Sequence, residues 1–382
     1  MDQEESTKCL ESKDINGDSL LQIKDGRILA YFFRNNRHLT IYDEKSINEI
    51  FNIDLQKSIE KEKMMKKMES LEVIEGNSKY KWLKWNREEI PIYQKCTVKE
   101  LSNGLILVGA SQYLIELKLY EKTYDFNIIK KFINPILDIN ELIDKRIIII
   151  TSEYINVLNS DNSEYNIINS YLIKQNWKIE PVSSTRRFYG NFNQYFASYE
   201  LPNNRLLLNS FSTELSYHGG CGTHPPEEFS HSKIIFIDLK HFEKIKSTDE
   251  FKVHVKNIIL DKIIIIQDYE YIFVYDINSL DIINQIKFNK SYDYIFKYDN
   301  QTLIALSEYE KKNNLLIYKV DNNNNNLIES CEIKTKFNFQ EKIGWNGYSI
   351  REFNNKTFFK LNDKRVIIIC HRVMYILPLE ID

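Results

Sequence analysis

Ile23-Lys24-Asp25-Gly26-Arg27-Ile28-Leu29 is the first of seven related phrases in this chain: an apolar residue, any residue, a turn pair, then an apolar run. Three more copies are Leu101-Ser102-Asn103-Gly104-Leu105-Ile106-Leu107, Leu142-Ile143-Asp144-Lys145-Arg146-Ile147-Ile148 and Leu201-Pro202-Asn203-Asn204-Arg205-Leu206-Leu207. The last three are Ile259-Leu260-Asp261-Lys262-Ile263-Ile264, Tyr298-Asp299-Asn300-Gln301-Thr302-Leu303-Ile304 and Leu361-Asn362-Asp363-Lys364-Arg365-Val366-Ile367. Asp-Gly, Asn-Gly and Asn-Asn between apolar runs specify hairpin turns, because these residues reach positive φ at low cost. A phrase repeated at this scale implies an array of like units.

Around each phrase the pattern is that of strands. The first copy predicts strands over Ser19 to Lys24, Ile28 to Phe33, His38 to Asp43 and Asn48 to Asp54. The fifth predicts Phe251 to Leu260, Lys262 to Gln267, Tyr271 to Asp276 and Ile282 to Phe288. These runs are short, β-branched or aromatic, and bounded by turn residues. Four such strands joined by tight turns form a meander, and the chain reads as all-β.

A small sheet has two apolar faces and cannot bury either alone. Near-continuous runs such as Ile147-Ile148-Ile149-Ile150 require cover on both faces. Seven four-stranded meanders therefore predict a β-propeller of seven blades in one domain over residues 1–382. The approximate blades are 19–55, 93–133, 137–173, 197–248, 251–290, 293–335 and 356–380. The last unit lacks a fourth strand, so residues 6–12 are expected to supply it by pairing with 373–379.

Third strands ending in an apolar residue and Asp, as in Tyr42-Asp43, Ile237-Asp238 and Tyr275-Asp276, resemble degenerate Trp-Asp endings of WD-repeat propellers. The phrase with Asp-Gly before an apolar run is similar to that family's as well. The resemblance covers about residues 19–380 and implies a seven-bladed repeat protein that holds protein partners.

Composition narrows the partner. Lys plus Arg (51) nearly balance Asp plus Glu (54), so nothing favours nucleic acid or an anionic membrane as the default partner. The apolar runs are too short to span a bilayer. The start, Met1-Asp2-Gln3-Glu4-Glu5, is acidic without an apolar signal region. Five scattered cysteines suit a reducing compartment, and the expected location is cytoplasmic or nuclear.

In a propeller, first-to-second and third-to-fourth strand turns share one face, and the remaining connections share the other. The long extras, 56–92, 174–194, 212–232 and 337–355, all fall on that second face. Insertions confined to one face mark it as the binding face. All four tryptophans lie in these insertions, and Trp, Tyr and Arg carry most interface energy. The candidate partner-binding residues are Trp82, Trp85, Trp177, Arg186, Arg187, Tyr189, Trp345 and Tyr348. Individually, each of these also suits a residue that pins its insertion onto the propeller. The first insertion predicts a helix over 56–74, with Met64, Met65, Met68 and Leu71 on one face.

One segment carries chemistry-bearing side chains at high density: His218-Gly219-Gly220-Cys221-Gly222-Thr223-His224, followed by His231. Thiolate and imidazole are zinc ligands, but the spacing matches no familiar structural zinc pattern. A nucleophilic pair of Cys221 with His224 or His218 would need an activated thiolate and an oxyanion hole. An exposed loop that binds nothing is the simpler reading, and no cofactor is expected. The sequence thus points to a non-catalytic interaction scaffold for a peptide or protein. The alternative is a propeller enzyme or metal-binding module using the loop from His218 to His231.

Overall fold

The structure is a computed structural model of the 382-residue chain. It describes residues 11–14, 19–31, 38–72, 96–151, 153–159, 165–173, 193–216, 227–248, 251, 256–268, 271–287, 292–309, 312–321, 326–334, 357–361, 365–370 and 373–378. The described residues form an all-β fold of the β-propeller class with one helix; they build seven four-stranded antiparallel sheets.

Strands are numbered along the chain. β1 (Glu11–Asp14) is followed by β2 (Ser19–Gln22), β3 (Ile28–Tyr31), β4 (His38–Tyr42) and β5 (Glu49–Asp54), which form one meander. After helix α1 (Leu55–Glu72) come β6 (Cys96–Glu100), β7 (Ile106–Ala110), β8 (Tyr113–Leu119) and β9 (Tyr124–Lys131). The third meander is β10 (Ile136–Glu141), β11 (Ile147–Thr151), β12 (Tyr154–Asn159) and β13 (Asn166–Leu172). The fourth is β14 (Asn193–Leu201), β15 (Arg205–Ser216), β16 (Glu227–Asp238) and β17 (Glu243–Ser247). The fifth is β18 (Lys256–Ile259), β19 (Ile263–Gln267), β20 (Tyr271–Asp276) and β21 (Ile282–Lys287). The sixth is β22 (Tyr292–Lys297), β23 (Thr302–Tyr309), β24 (Lys312–Asp321) and β25 (Asn326–Lys334). The last sheet joins β26 (Thr357–Lys360), β27 (Arg365–Cys370) and β28 (Val373–Pro378) to β1.

The chain divides into two compact units, residues 15–175 and residues 1–14 with 176–382. In the first unit, Leu29, Leu39 and Ile41 form one core with Val98, Val108 and Ile115 of the next sheet. Leu107 and Leu114 form another with Ile136, Ile147 and Ile149. Gly109 makes room at this second contact: a Cβ there would lie 2.6 Å from the Ile136 side chain. In the second unit, Leu207 and Phe236 pack with Ile264 and Ile266, and Ile263 and Ile265 with Leu303 and Leu316. Ile147 to Ile150 and Ile263 to Ile266 are all fully buried, as strands covered on both faces must be.

Six of the phrases are hairpin turns between the first and second strands of their sheets; the seventh lies between β26 and β27, with residues 362–364 outside the described residues. The leading apolar residue is the buried anchor in six copies, from Leu101, Leu201 and Leu361 at 1 % exposure to Tyr298 at 7 %; in the fifth, Ile259 is half-buried and Leu260 is the anchor. Its backbone N–H closes the turn in several copies, as in Ile23 to Arg27 and Leu101 to Leu105. Gly26, Gly104, Lys145, Asn203 and Asn204 occupy the positive-φ positions. Asp25, Asn103, Asp144 and Asp299 each accept the backbone N–H two residues on, which is the local bond that makes such residues turn formers.

The apolar-plus-Asp endings begin a second repeated turn, between third and fourth strands. Asp43, Asp238 and Asp276 accept N–H bonds from Ser46, Lys240, and Asn278 with Ser279. Their carbonyls accept from Ile47, Phe242 and Leu280, whose φ values are +53°, +57° and +61°. Backbone and side-chain bonds to Ser46 hold the Asp43 carboxyl below its usual range. For Asp238 the lowering comes chiefly from the Lys240 N–H, then from His241. Ile47 and Leu280 are buried, so this turn plugs the sheet end with an apolar side chain.

α1 starts where Asp54 accepts the Lys57 N–H as its cap. Its first two turns bury Leu55 and Ile59 in the first core, and Ser58 bonds the Tyr124 hydroxyl. The expected helix therefore packs on its own sheets through its N-terminal half. Met64, Met65, Met68 and Leu71 lie on its later turns, where only the backbone is described. At the other end of the chain, β1 pairs with β28 in the register Glu11↔Ile376 to Asp14↔Val373. Glu11 and Ser12 fall within the expected closing stretch, the pairing extends past it to Asp14, and residues 6–10 lie outside the described residues.

Candidate functional site

The fourth sheet departs from the pattern. The stretch 212–232, read from sequence as an inserted loop, is largely a continuation of β15 and β16, which pair from Arg205↔Asp238 to Ser216↔Glu227. Apolar and β-branched residues before the Gly-rich segment carry the ladder onward. β17 covers only Ile235–Asp238, so the two long strands run past it as an arm. Residues 217–226, including His218, Cys221 and His224, lie outside the described residues. His231 sits on β16 opposite Ser212.

The free side of β16 is tied down at the base of this arm. Ile234 exchanges bonds with Thr248, and Ser232 exchanges two backbone hydrogen bonds of 2.8 Å with Phe251. Phe251 was expected to begin a strand running to Leu260; it instead pairs with Ser232, while β18 begins at Lys256. Polar side chains are buried at this base: Ser198, Asn209, Ser210 and Ser232. The Ser210 hydroxyl, at 1 % exposure, finds no hydrogen-bond partner among the described residues. Leaving it so costs about 1–3 kcal/mol, a penalty that a bound water or partner group would offset.

Beside that base runs an aromatic row on the fifth sheet. Tyr271, Phe273 and Tyr275 alternate along β20 and so share one face. Tyr275 is buried, while Tyr271 and Phe273 are partly buried, and Phe273 and Phe251 pack against the core of this unit. Phe251 meets Phe273 at 5.8 Å between ring centroids, and Tyr271 meets Phe273 at 6.0 Å, both tilted as aromatic pairs prefer. Lys287, cross-strand from Tyr271, places its ammonium 5.8 Å from that ring. Asp268 accepts the Tyr271 N–H at 2.6 Å and fixes the start of the strand. The surface offers apolar rings, a cation and strand backbone.

Trp82, Trp85, Trp177, Arg186, Arg187, Tyr189, Trp345 and Tyr348 all lie outside the described residues. Among the described residues, no group of three or more His, Cys, Asp or Glu side chains stands close enough to hold a metal ion. Phe251, Tyr271 and Phe273 escaped the sequence reading because they look like ordinary strand residues. The available signal was the run of three aromatics at period two, which puts all of them on one face.

No protein-family model matches the sequence, and no curated protein matches it. Solved structures are similar to it in fold. BamB from Moraxella catarrhalis aligns over 98 % of both chains at 9 % identity, with a TM-score of 0.46. Virginiamycin B lyase from Staphylococcus aureus covers 97 % of this chain and 99 % of its own at 10 % identity, with a TM-score of 0.48. Sqt1 from Saccharomyces cerevisiae covers 98 % of this chain and 100 % of its own at 8 % identity, with a TM-score of 0.47. These are β-propeller proteins, and the likeness is one of architecture.

Proposed function

We propose that this protein is a non-catalytic, WD-repeat-like seven-bladed scaffold that holds a peptide or protein partner in the cytoplasm or nucleus. The observation that carries this reading is the partly buried row Phe251–Phe273–Tyr271 beside the β15–β16 arm. Partly buried rings fixed by neighbours lose little entropy when a partner covers the rest of their surface. The sequence adds a second group on the same reading: Trp82, Trp85, Trp177, Arg186, Arg187, Tyr189, Trp345 and Tyr348.

The test is affinity capture from source-cell extract with wild type, a Tyr271→Ala/Phe273→Ala variant and a Trp82→Ala/Trp345→Ala variant. A captured protein is then purified and its affinity measured directly. The reading expects each double variant to stay folded and to bind at least about tenfold more weakly, or about 1.4 kcal/mol. Equal affinity in both folded variants would remove the case for this face.

A further inference from the structure

Two lysines converge on one tyrosine where α1 meets the second sheet. Tyr113, the first residue of β8, is 6 % exposed, and Lys131, directly cross-strand from it on β9, places its ammonium 5.8 Å from the ring centroid. Lys63 of α1 brings a second ammonium to 4.7 Å from the same centroid. The ring attracts each cation, but the two cations repel each other. Along residues 96–98, 108–114 and 128–135, the ends of these strands around the tyrosine, the charged residues are Lys130 and Lys131. Of the carboxylates on flanking elements, Glu62 is buried, Glu60 accepts from Gln56, and Glu153 accepts from Asn134. An apolar side chain stands beside the cations: Ile133, two residues after Lys131, is 88 % exposed. Its carbonyl accepts the Gln112 side-chain amide at 2.8 Å, and the Phe132 N–H donates to the Gln112 carbonyl at 2.8 Å. The backbone that carries Ile133 is thus already fixed, and covering it costs little ordering.

We propose that Lys63, Tyr113, Lys131 and Ile133 form a docking site for an acidic segment of a partner protein. Its carboxylates meet the two ammonium groups, and an apolar side chain next to them covers Ile133. A local excess of positive charge on a chain of net charge −3 sets the sign of the partner. The isoleucine needs an apolar group opposite it, which a polypeptide supplies and a free phosphate or a sugar–phosphate backbone does not. The Tyr113 ring is buried, so it offers no platform on which a base stacks. The site lies in the unit formed by residues 15–175, whereas Phe251, Tyr271 and Phe273 belong to the other. It is therefore a second recognition surface, which stands or falls independently of the aromatic row.

A random-peptide display library selected on the full chain tests it. Recovered peptides are expected to join Asp or Glu to Leu, Ile or Phe. Their affinity should fall at least about tenfold in a Lys63→Gln/Lys131→Gln variant and in Ile133→Ser, which alters a side chain already in solvent. Lys122→Gln, in the exposed turn between β8 and β9, should bind as wild type does. Raising salt from about 50 to about 500 mM should weaken wild type more than the double lysine variant. An absence of binders, binders without an acidic excess, or unchanged affinity in either variant overturns the proposal. So does an equal loss in Lys122→Gln, equal salt sensitivity in the double lysine variant, or oligouridylate binding that the same variants weaken. Peptides lost only in the Tyr271→Ala/Phe273→Ala variant overturn it too, while supporting the aromatic row as the binding surface.

Discussion

Arg205 donates from its guanidinium to the carbonyl of Ile277 at 2.7 Å, across 72 residues of chain and from one sheet to the next. A second nitrogen reaches the Asn278 carbonyl at 2.7 Å and a third the Pro202 carbonyl at 2.9 Å. The residue is 9 % exposed, and burial lowers its pKa while Asp276 opposes that. Arg27 repeats the geometry on the Leu119 and Tyr120 carbonyls. In these two copies the residue directly after the turn pair thus clamps the turn between third and fourth strands of the neighbouring sheet. Lys246 grips the same turn as Arg205 through the Leu280 carbonyl and Asp281, and lowers the Asp281 pKa by that bond.

Arg205→Met keeps much of the aliphatic bulk but leaves the Ile277 carbonyl without this donor. Charge-assisted bonds of this kind contribute about 1.5–3 kcal/mol, and the variant is expected to lose that order of stability in urea unfolding. A loss below about 0.5 kcal/mol would show that the clamp is replaced by solvent.

Leu280 is both buried and at φ +61°, so two effects oppose each other. Glycine relieves about 1–2 kcal/mol of backbone strain, whereas deleting a buried Leu side chain costs about 2–5 kcal/mol. Burial wins. Leu280→Gly should therefore destabilise, and Leu280→Ala should destabilise more because it keeps the strain. The order leucine, glycine, alanine in melting temperature is the expected result; alanine above glycine would contradict the backbone assignment.

Tyr165 is pushed up to about 12 by burial first, and then by the charge of Glu116 and its hydrogen bond. A folded-state pKa above the unfolded value means the folded state holds its proton more tightly. This contribution is complete below about pH 10, the unfolded tyrosine value, and is lost as pH rises towards 12. Tyr165→Phe should flatten the alkaline fall in stability over that window. Parallel urea titrations of both proteins at several pH values measure it, and identical alkaline slopes would refute it.

Among the described residues, β1 is the one strand that pairs with β28 on the side away from β27. Removing residues 1–14 should lower the melting temperature and speed amide exchange in Val373 to Ile376, whereas removing residues 1–10 should spare both. Hydrogen exchange followed by mass spectrometry reads the difference. Equal protection in the two truncations would show that β1 adds nothing to the edge.

Local chemistry made the fold class legible. Asp-Gly, Asn-Gly and Asn-Asn specify hairpins within a few residues, and the anchor before each turn pair is apolar because it is buried. The helix was legible from its three- and four-residue spacing, expected over 56–74 and found as Leu55–Glu72. The Asp at the end of third strands was visible too, though its role as a turn cap emerged only with the Ser46, Lys240 and Asn278 bonds.

The sequence by itself determined what depends on neighbours a few residues apart: strand, turn, helix and the repetition of the meander. Tertiary structure decided what depends on which sheets stack. It set Arg205 on Ile277, Phe251 against Ser232 and Phe273, and Gly109 under Ile136. It also turned an apparent insertion at 212–216 and 227–232 into a strand arm, because pairing with β14 and between the two strands outlasts the cover of β17. A period-two pattern states that a residue faces one side of a sheet, but only the packing of sheets determines what it meets there.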